Sequence, residues 1–273
     1  APFLAEGVRD GLRLGHGKLL DSMIHDGLWD PYENKHMGNC AETCAAHYSF
    51  SREEQDAFAA ESYRRAREAM EKGLFAAEIV PVEVPQRKGD PIVVDKDEEP
   101  HRADLEKMPR LRPAFQKDGT VTAANASKIN DGAAALVVTT AEEAQRLGKK
   151  PLARLVAQAT VAQEPEWFTT APVAVIRKVL QRVELELSDI DLVEVNEAFA
   201  VVAMAAIRDL ELDPARTNVR GGAVALGHPI GASGARILVT LHGVLKRIDG
   251  ELGIASICGG GGVTTAMVIK RES

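Results

Sequence analysis

The chain has little cysteine, few aromatic residues and no long apolar run. Its three cysteines, Cys40, Cys44 and Cys258, cannot all pair, so a disulfide framework is not expected; such sparse usage fits a reducing compartment, with the cytoplasm as the expected location. The longest apolar stretch, residues 198–207, is about half of the roughly 20 residues a membrane span requires, and Arg208 closes it. No spanning helix is expected. The N-terminus, Ala1-Pro2-Phe3-Leu4, has no basic region leading into an apolar segment and does not read as a signal peptide. It also lacks Met, as a trimmed chain or the later piece of a longer polypeptide would. A basic face is missing as well: 33 Lys and Arg are scattered among 40 Asp and Glu, for a net charge of −7. Nucleic acid is therefore not an expected partner, although a small anion needs only a few local donors.

What is present is enough for a folded protein: 273 residues, 45% of them hydrophobic, can bury one large core or two modest ones. The chain changes character near Leu152. Before it the sequence is charged and turn-rich, with one strong helix signal, the capping box Ser51-Arg52-Glu53-Glu54 opening a helix-favouring run over residues 53–74. Residues 79–94 read as extended but are broken by Pro81, Pro85, Gly89 and Pro91, which denies them a central place in a sheet. Residues 1 to about 120 thus read as a loop-rich subdomain that leans on something larger. From Asn130 the pattern becomes regular: strands over 133–139, 152–161, 191–195, 252–258 and 263–270, alternating with helices over 141–147, 172–183, 198–210 and 233–247. That alternation indicates an α/β layered domain whose sheet is covered on both faces.

Cys40 and Cys44 stand four apart, a helix-compatible spacing that could supply two metal ligands. No second Cys/His pair follows at zinc-site spacing, so they are expected as buried small side chains and no metal is expected.

Three segments carry chemistry. In Val195-Asn196-Glu197-Ala198-Phe199-Ala200 a strand ends and a helix begins, the place where open α/β sheets hold ligands; taken alone, Asn196 reads as a helix cap at least as well. In Arg220-Gly221-Gly222-Ala223-Val224-Ala225-Leu226-Gly227-His228-Pro229-Ile230-Gly231-Ala232-Ser233-Gly234, small residues form a tightly turned backbone whose N–H groups could surround an anion, and His228 is held in a stiff loop between Gly227 and Pro229. In Cys258-Gly259-Gly260-Gly261-Gly262 a strand-end thiol precedes successive N–H donors, the ingredients of an oxyanion hole. A glycine-rich turn after a buried Cys is the alternative.

Together these segments resemble the thiolase family, which shows an N-E-A-F segment, a G-G-A-x-A-x-G-H-P-x-G-x-S-G loop and a C-x-G-G segment in this order. The likeness extends to Leu111-Arg112-Pro113-Ala114-Phe115, to Thr120-Val121-Thr122-Ala123-Ala124-Asn125-Ala126-Ser127 and to His36-Met37-Gly38. It implies a layered αβαβα fold, with residues 1–127 as a loop-rich coenzyme A-binding subdomain, 128–150 as the end of the N-terminal thiolase half and 151–273 as the C-terminal half. It implies that His228 activates a nucleophilic cysteine and, with a water held by Asn196, receives the thioester oxygen of the second substrate. Cys258 would be the general acid and base at the α-carbon of acetyl-CoA, and the Gly260 N–H would serve the acyl-enzyme's oxyanion hole. Coenzyme A contacts would fall on Leu28, His36, Met37, Phe115, Ala123, Ser127 and Phe199. Where relatives place a basic residue near the nucleotide this chain has Glu98-Glu99-Pro100-His101-Arg102, leaving Arg102 or nothing to supply it.

The implied reaction is Claisen condensation of two acetyl-CoA to acetoacetyl-CoA and its reverse, with coenzyme A thioesters as substrates and no cofactor. Longer-chain 3-ketoacyl-CoA thiolysis and a silent acyl-CoA-binding partner subunit are the alternatives. The family's acyl-accepting cysteine lies in an early small-residue segment that these residues do not contain. The resemblance therefore implies a partner segment or chain that supplies it, inactivity of this chain alone, and a homodimer or homotetramer.

Overall fold

The computed structural model describes residues 1–272. In the first half, three short ribbons lie at the surface: β1 (Phe3–Ala5) with β2 (Leu19–Asp21), β3 (Trp29–Asp30) with β4 (Lys35–His36), and β5 (Val82–Val84) with β6 (Ile92–Val94). The β5–β6 hairpin is exposed along its length, and Pro81, Pro85 and Pro91 flank it as ladder-breaking residues should. Two helices anchor this half. α1 (Met37–Tyr48) starts on His36, whose Nδ1 accepts the Gly38 N–H at 3.0 Å. α2 (Arg52–Glu71) starts on the capping box: Ser51 Oγ accepts from Glu54 N and Glu54 Oε2 accepts from Ser51 N, at 3.1 and 2.7 Å. The loop before Asn130 is pinned to both. Glu42 of α1 takes the N–H groups of Thr120 and Val121 at 2.9 and 2.8 Å, while the Asn125 amide donates to Asp56 of α2 at 2.9 Å. After the short α3 (Glu99–Arg102), one turn of α4 (Ala141–Arg146) leads to the second half.

That half is a four-stranded sheet in the order β7 (Ala153–Ala162), β10 (Val263–Arg271), β9 (Leu252–Cys258) and β8 (Leu192–Val195). Only β8 and β9 run parallel. Strand alternation sends Val193, Val195, Ile254 and Val268 to one face, against α5 (Ala171–Arg182), α6 (Ala200–Leu210) and α1. Leu192, Ala255 and Ile269 point to the other, against Ile237, Leu241 and Leu245 of α8 (Ser233–Ile248). Each of those three α8 side chains contributes about 1.5–3 kcal/mol by leaving water. The expected two-sided burial is thus met over β8, β9 and β10, while β7 is an edge with Leu155 and Val156 exposed. Among the described residues no helix is long and apolar enough to cross a membrane.

Two expectations fail. Residues 133–139, read as a strand, have no regular structure, and Val137 and Val138 are 97% and 82% exposed. A continuous apolar strand needs hydrogen-bonding neighbours on its edges, and no described strand pairs with it. The helix read from Ala198 starts at Ala200, because Phe199 takes extended backbone to bridge Ala126.

Candidate active site

The parallel register of β8 and β9 places two of the three motif residues at the same end of neighbouring strands. Asn196 N–H donates to Ser256 O at 2.9 Å, one strand step beyond the Val195–Ser256 pairing, and Cys258 ends the same β9 strand. Asn196 caps nothing; its side chain is turned to His228, with Nδ2 3.4 Å from Nε2. The residue is 1% exposed, and its Oδ1 is buried with no protein partner.

His228 is fixed by three contacts and the turn before it. Gly227, at φ +96°, reverses the chain before it, and the His228 N–H donates to Lys128 O at 2.9 Å. The imidazole Nδ1 lies 2.6 Å from Ser233 Oγ at the start of α8. Ser233 commits its only proton to Pro229 O at 3.1 Å, so Oγ accepts and Nδ1 carries the ring's hydrogen. That leaves the Nε2 lone pair facing Asn196. Burial, with the nearby Arg236 charge, holds the ring down to about 4, so it is neutral and basic at Nε2 at ordinary pH.

The glycine-rich loop wraps a carboxyl group, but one belonging to the protein, and burial pushes that carboxyl above the usual carboxylate range. Glu197 is 1% exposed and accepts from Ser62 Oγ (2.7 Å), Asn218 Nδ2 (2.9 Å) and Val224 N (3.2 Å). A Cβ at Gly222 would overlap its carboxyl group, and the Gly222 N–H is taken by Ser62 Oγ at 3.0 Å. The loop's N–H groups are therefore not an open anion cradle, as their composition alone suggested. They are spent on Glu197 and Ser62, and the short α7 (Ala223–Leu226) forms over them.

Cys258 is buried, and desolvation pushes its thiol up to about 12. Gly259 N donates to Val263 O at 2.7 Å, and Gly261 and Gly262 both sit at φ +80°. A side chain at Gly262 would overlap the Gln163 backbone, so this turn is glycine for close approach as well as conformation. The Cβ position of Gly260 lies 3.6 Å from Met37 Sδ and 3.8 Å from Gly27 O, which brings Leu28's segment, Met37 and the glycine run together.

The other candidate positions form a second group. His36 stacks on Phe115 at 4.8 Å and Phe115 meets Phe199 edge-on at 5.9 Å. Ser127 N donates to Ala198 O at 3.0 Å, so the Thr120–Ser127 segment runs along the start of α6, with Ala123 exposed upon it. Arg102 is spent on Glu98 and Glu99 at 3.5 and 3.4 Å. Cys40 and Cys44 are fully buried in α1 within the core, each thiol pushed up to about 11 by burial. Sequence reasoning missed Ser233 and Glu197. The first had a signal in its place five residues after His228; the second was lost beside its more conspicuous neighbour Asn196.

Family descriptions match almost the whole chain: the thiolase N-terminal domain over residues 1–142 and the thiolase C-terminal domain over 149–271. The chain belongs to the thiolase family. An acetyl-CoA acetyltransferase from Pseudomonas aeruginosa is 49% identical over 273 residues, all of this thiolase chain and 70% of the relative. Acetyl-CoA acetyltransferase 1 from Arabidopsis thaliana is 52% identical over 268 residues, 97% of this chain and 65% of the relative. Among solved structures, the acetyl-CoA acetyltransferase of Bacillus anthracis superposes with a TM-score of 0.95 at 44% identity, covering all of this chain and 69% of that one. A thiolase from Ascaris suum in complex with coenzyme A does so at 0.90 and 44%, with the same coverage. This thiolase chain thus has the fold of those enzymes over about two thirds of their length.

Proposed function

We propose that Asn196, His228, Cys258 and Gly260 form the proton-transfer side of an acetyl-CoA acetyltransferase, joining two acetyl-CoA into acetoacetyl-CoA and coenzyme A and running the reverse thiolysis. The observation that carries this reading is the setting of the His228 ring: Nδ1 is engaged by Ser233 Oγ at 2.6 Å, which leaves Nε2, beside Asn196, as the nitrogen placed to take a proton from a thiol.

A nucleophilic thiol gives its proton to Nε2 and attacks the first acetyl-CoA, and the departing coenzyme A thiolate takes the proton of Cys258. The Cys258 thiolate then removes an α-proton from the second acetyl-CoA, whose thioester oxygen is received by Nε2–H and a water held by Asn196. The enolate carbon attacks the acyl-enzyme carbonyl, whose oxygen the Gly260 N–H receives, and the nucleophile leaves as thiolate. A thiol that rests protonated fits the first proton donation, and so does its role as donor to the enolate in thiolysis. The enolate itself requires this electrostatic support, since a thioester α-proton is only weakly acidic. Leu28, His36, Met37, Phe115, Ala123, Ser127 and Phe199 would carry the pantetheine and nucleotide. Met37, set against Gly260, favours a short acyl group.

The acyl-accepting thiol in this reading is none of the three described cysteines. Cys258 has the proton-transfer role, and Cys40 and Cys44 are sealed in α1. A further segment or chain would supply it. Acetoacetyl-CoA thiolysis should be measured for the chain alone and after co-expression with the segment of a similar acetyl-CoA acetyltransferase that this chain does not match. Turnover only in the second case is expected; turnover by the chain alone would overturn the split site, and none in either case would overturn the assigned activity.

A further inference from the structure

Lys128 has no part in the steps above, yet its half-buried side chain reaches beneath the loop that carries His228. Nζ donates to Ala126 O at 3.0 Å and to Val224 O at 3.3 Å, and lies 5.4 Å from the centre of the buried Tyr63 ring. Three elements meet at this point: the Thr120–Ser127 loop through Ala126, α7 through Val224, and α2 through Tyr63.

The carbonyls explain why a cation belongs there. α7 is a single turn, in which Leu226 N–H is taken by Gly222 O and Gly227 N–H by Ala223 O. Gly227 then reverses the chain, so the Val224 carbonyl belongs to the end of a helix that cannot continue. A Lys side chain satisfies such a carbonyl, and the aromatic face of Tyr63 supports the charge from below. Desolvation lowers the ammonium to about 8, with Glu99 opposing the shift, so it is still charged near neutral pH.

The same residue also reaches His228 through its main chain, because the Lys128 carbonyl accepts the His228 N–H at 2.9 Å. We propose that Lys128 is a positioning residue for His228: its ammonium locks α7 to the loop along which coenzyme A would lie, while its carbonyl fixes the His228 backbone. Loop and base are thereby set by one residue, the loop through its side chain and the base through its main chain. This rests on His228 being the base, and goes beyond that reading by assigning what holds it in place.

The test uses Lys128→Ala, Lys128→Met and n-propylammonium, which has the three carbons and the ammonium that truncation to Ala removes. The first readout is the nitrogen–proton correlation of the His228 ring by NMR, which needs no turnover. In both variants the ring signal should move or broaden. Millimolar n-propylammonium should return it in Lys128→Ala, sodium at equal ionic strength should not, and Lys128→Met should not respond, because its apolar chain fills the space of the lysine stem. An unmoved ring signal overturns the proposal, as does a moved signal in Lys128→Ala that n-propylammonium leaves in place. Should Lys128→Ala not fold, Lys128→Met keeps the stem's packing, and an unmoved His228 ring there overturns it equally. The second readout is thiolysis by the assembled enzyme: kcat should fall about 10- to 100-fold with KM nearly unchanged, and recover with n-propylammonium. Absence of thiolysis in the unaltered enzyme would count against the assigned activity, and the ring signal would still decide the role of Lys128.

Discussion

Ser233 Oγ sits 2.6 Å from His228 Nδ1 and donates its own hydrogen bond to Pro229 O, so the hydroxyl acts as an acceptor toward the ring. The first residue of α8 therefore chooses the tautomer of a histidine five positions earlier. Ser233→Ala removes that choice without removing the ring. We expect kcat for thiolysis in the assembled enzyme to drop about 10- to 100-fold, with Ser233→Thr retaining most of it. Equal rates in Ser233→Ala and the parent would show that Ser233 does not hold the tautomer.

Stability should depend on pH at both ends of the scale. His228 is held down to about 4 when folded, against about 6.5 for a free imidazole, so the unfolded chain takes up that proton first. This contribution is present above about pH 6.5 and is lost as pH falls through about 4. Cys258 has the opposite sign: its folded thiol is pushed up from 9.0 to about 12, so its contribution is complete below about pH 9 and lost as pH rises toward 12. Urea midpoints should fall on either side of neutrality, and His228→Gln should flatten the acid limb alone. An acid limb that His228→Gln leaves unchanged would assign that limb to other groups.

Two glycines in one loop should respond oppositely to the same change. A Cβ at Gly222 would overlap the Glu197 carboxyl group, whereas one at Gly231 would meet nothing within 4 Å. Gly222→Ala should destabilise the fold by about 3 kcal/mol or more, because the carboxylate cannot move without losing Ser62, Asn218 and Val224. Gly231→Ala should stay within about 0.5 kcal/mol of the parent. Denaturant unfolding of the pair decides it, and similar values for both would remove close approach as the reason for the glycine.

Met37 offers a measure of chain-length selection. Its sulfur is 3.6 Å from the Cβ position of Gly260, so shortening it opens space beside the glycine run. Met37→Ala should raise the ratio of kcat/KM for a longer 3-ketoacyl-CoA over acetoacetyl-CoA by roughly tenfold. A ratio that does not rise would place the acyl chain elsewhere.

How much of this was legible beforehand varies with the range of the interactions. The capping box at Ser51, Pro172 in the first turn of α5 and the apolar stripe of α8 are local signals, and the corresponding helices lie where they were read. The juxtaposition of Asn196 and His228 was legible only as motif resemblance, since their contact depends on how the loop between α7 and α8, held at Lys128 O and Ser233, is seated over the end of β8. The role of the glycine loop was misread because its composition reports space and does not report what fills it. Here Glu197, 25 residues before Gly222, fills it. The strand read over 133–139 shows the converse: an apolar run states a need for neighbours, which only tertiary structure meets or withholds.

That unpaired run has a practical consequence. Leu136, Val137 and Val138 present apolar side chains and free backbone groups to solvent in a segment with strong strand preference, the combination that seeds cross-β association. Expressed by itself, the chain should be sticky, self-associating in proportion to its concentration. A charged residue in place of Val137, which faces only water, is the simplest way to keep it dispersed.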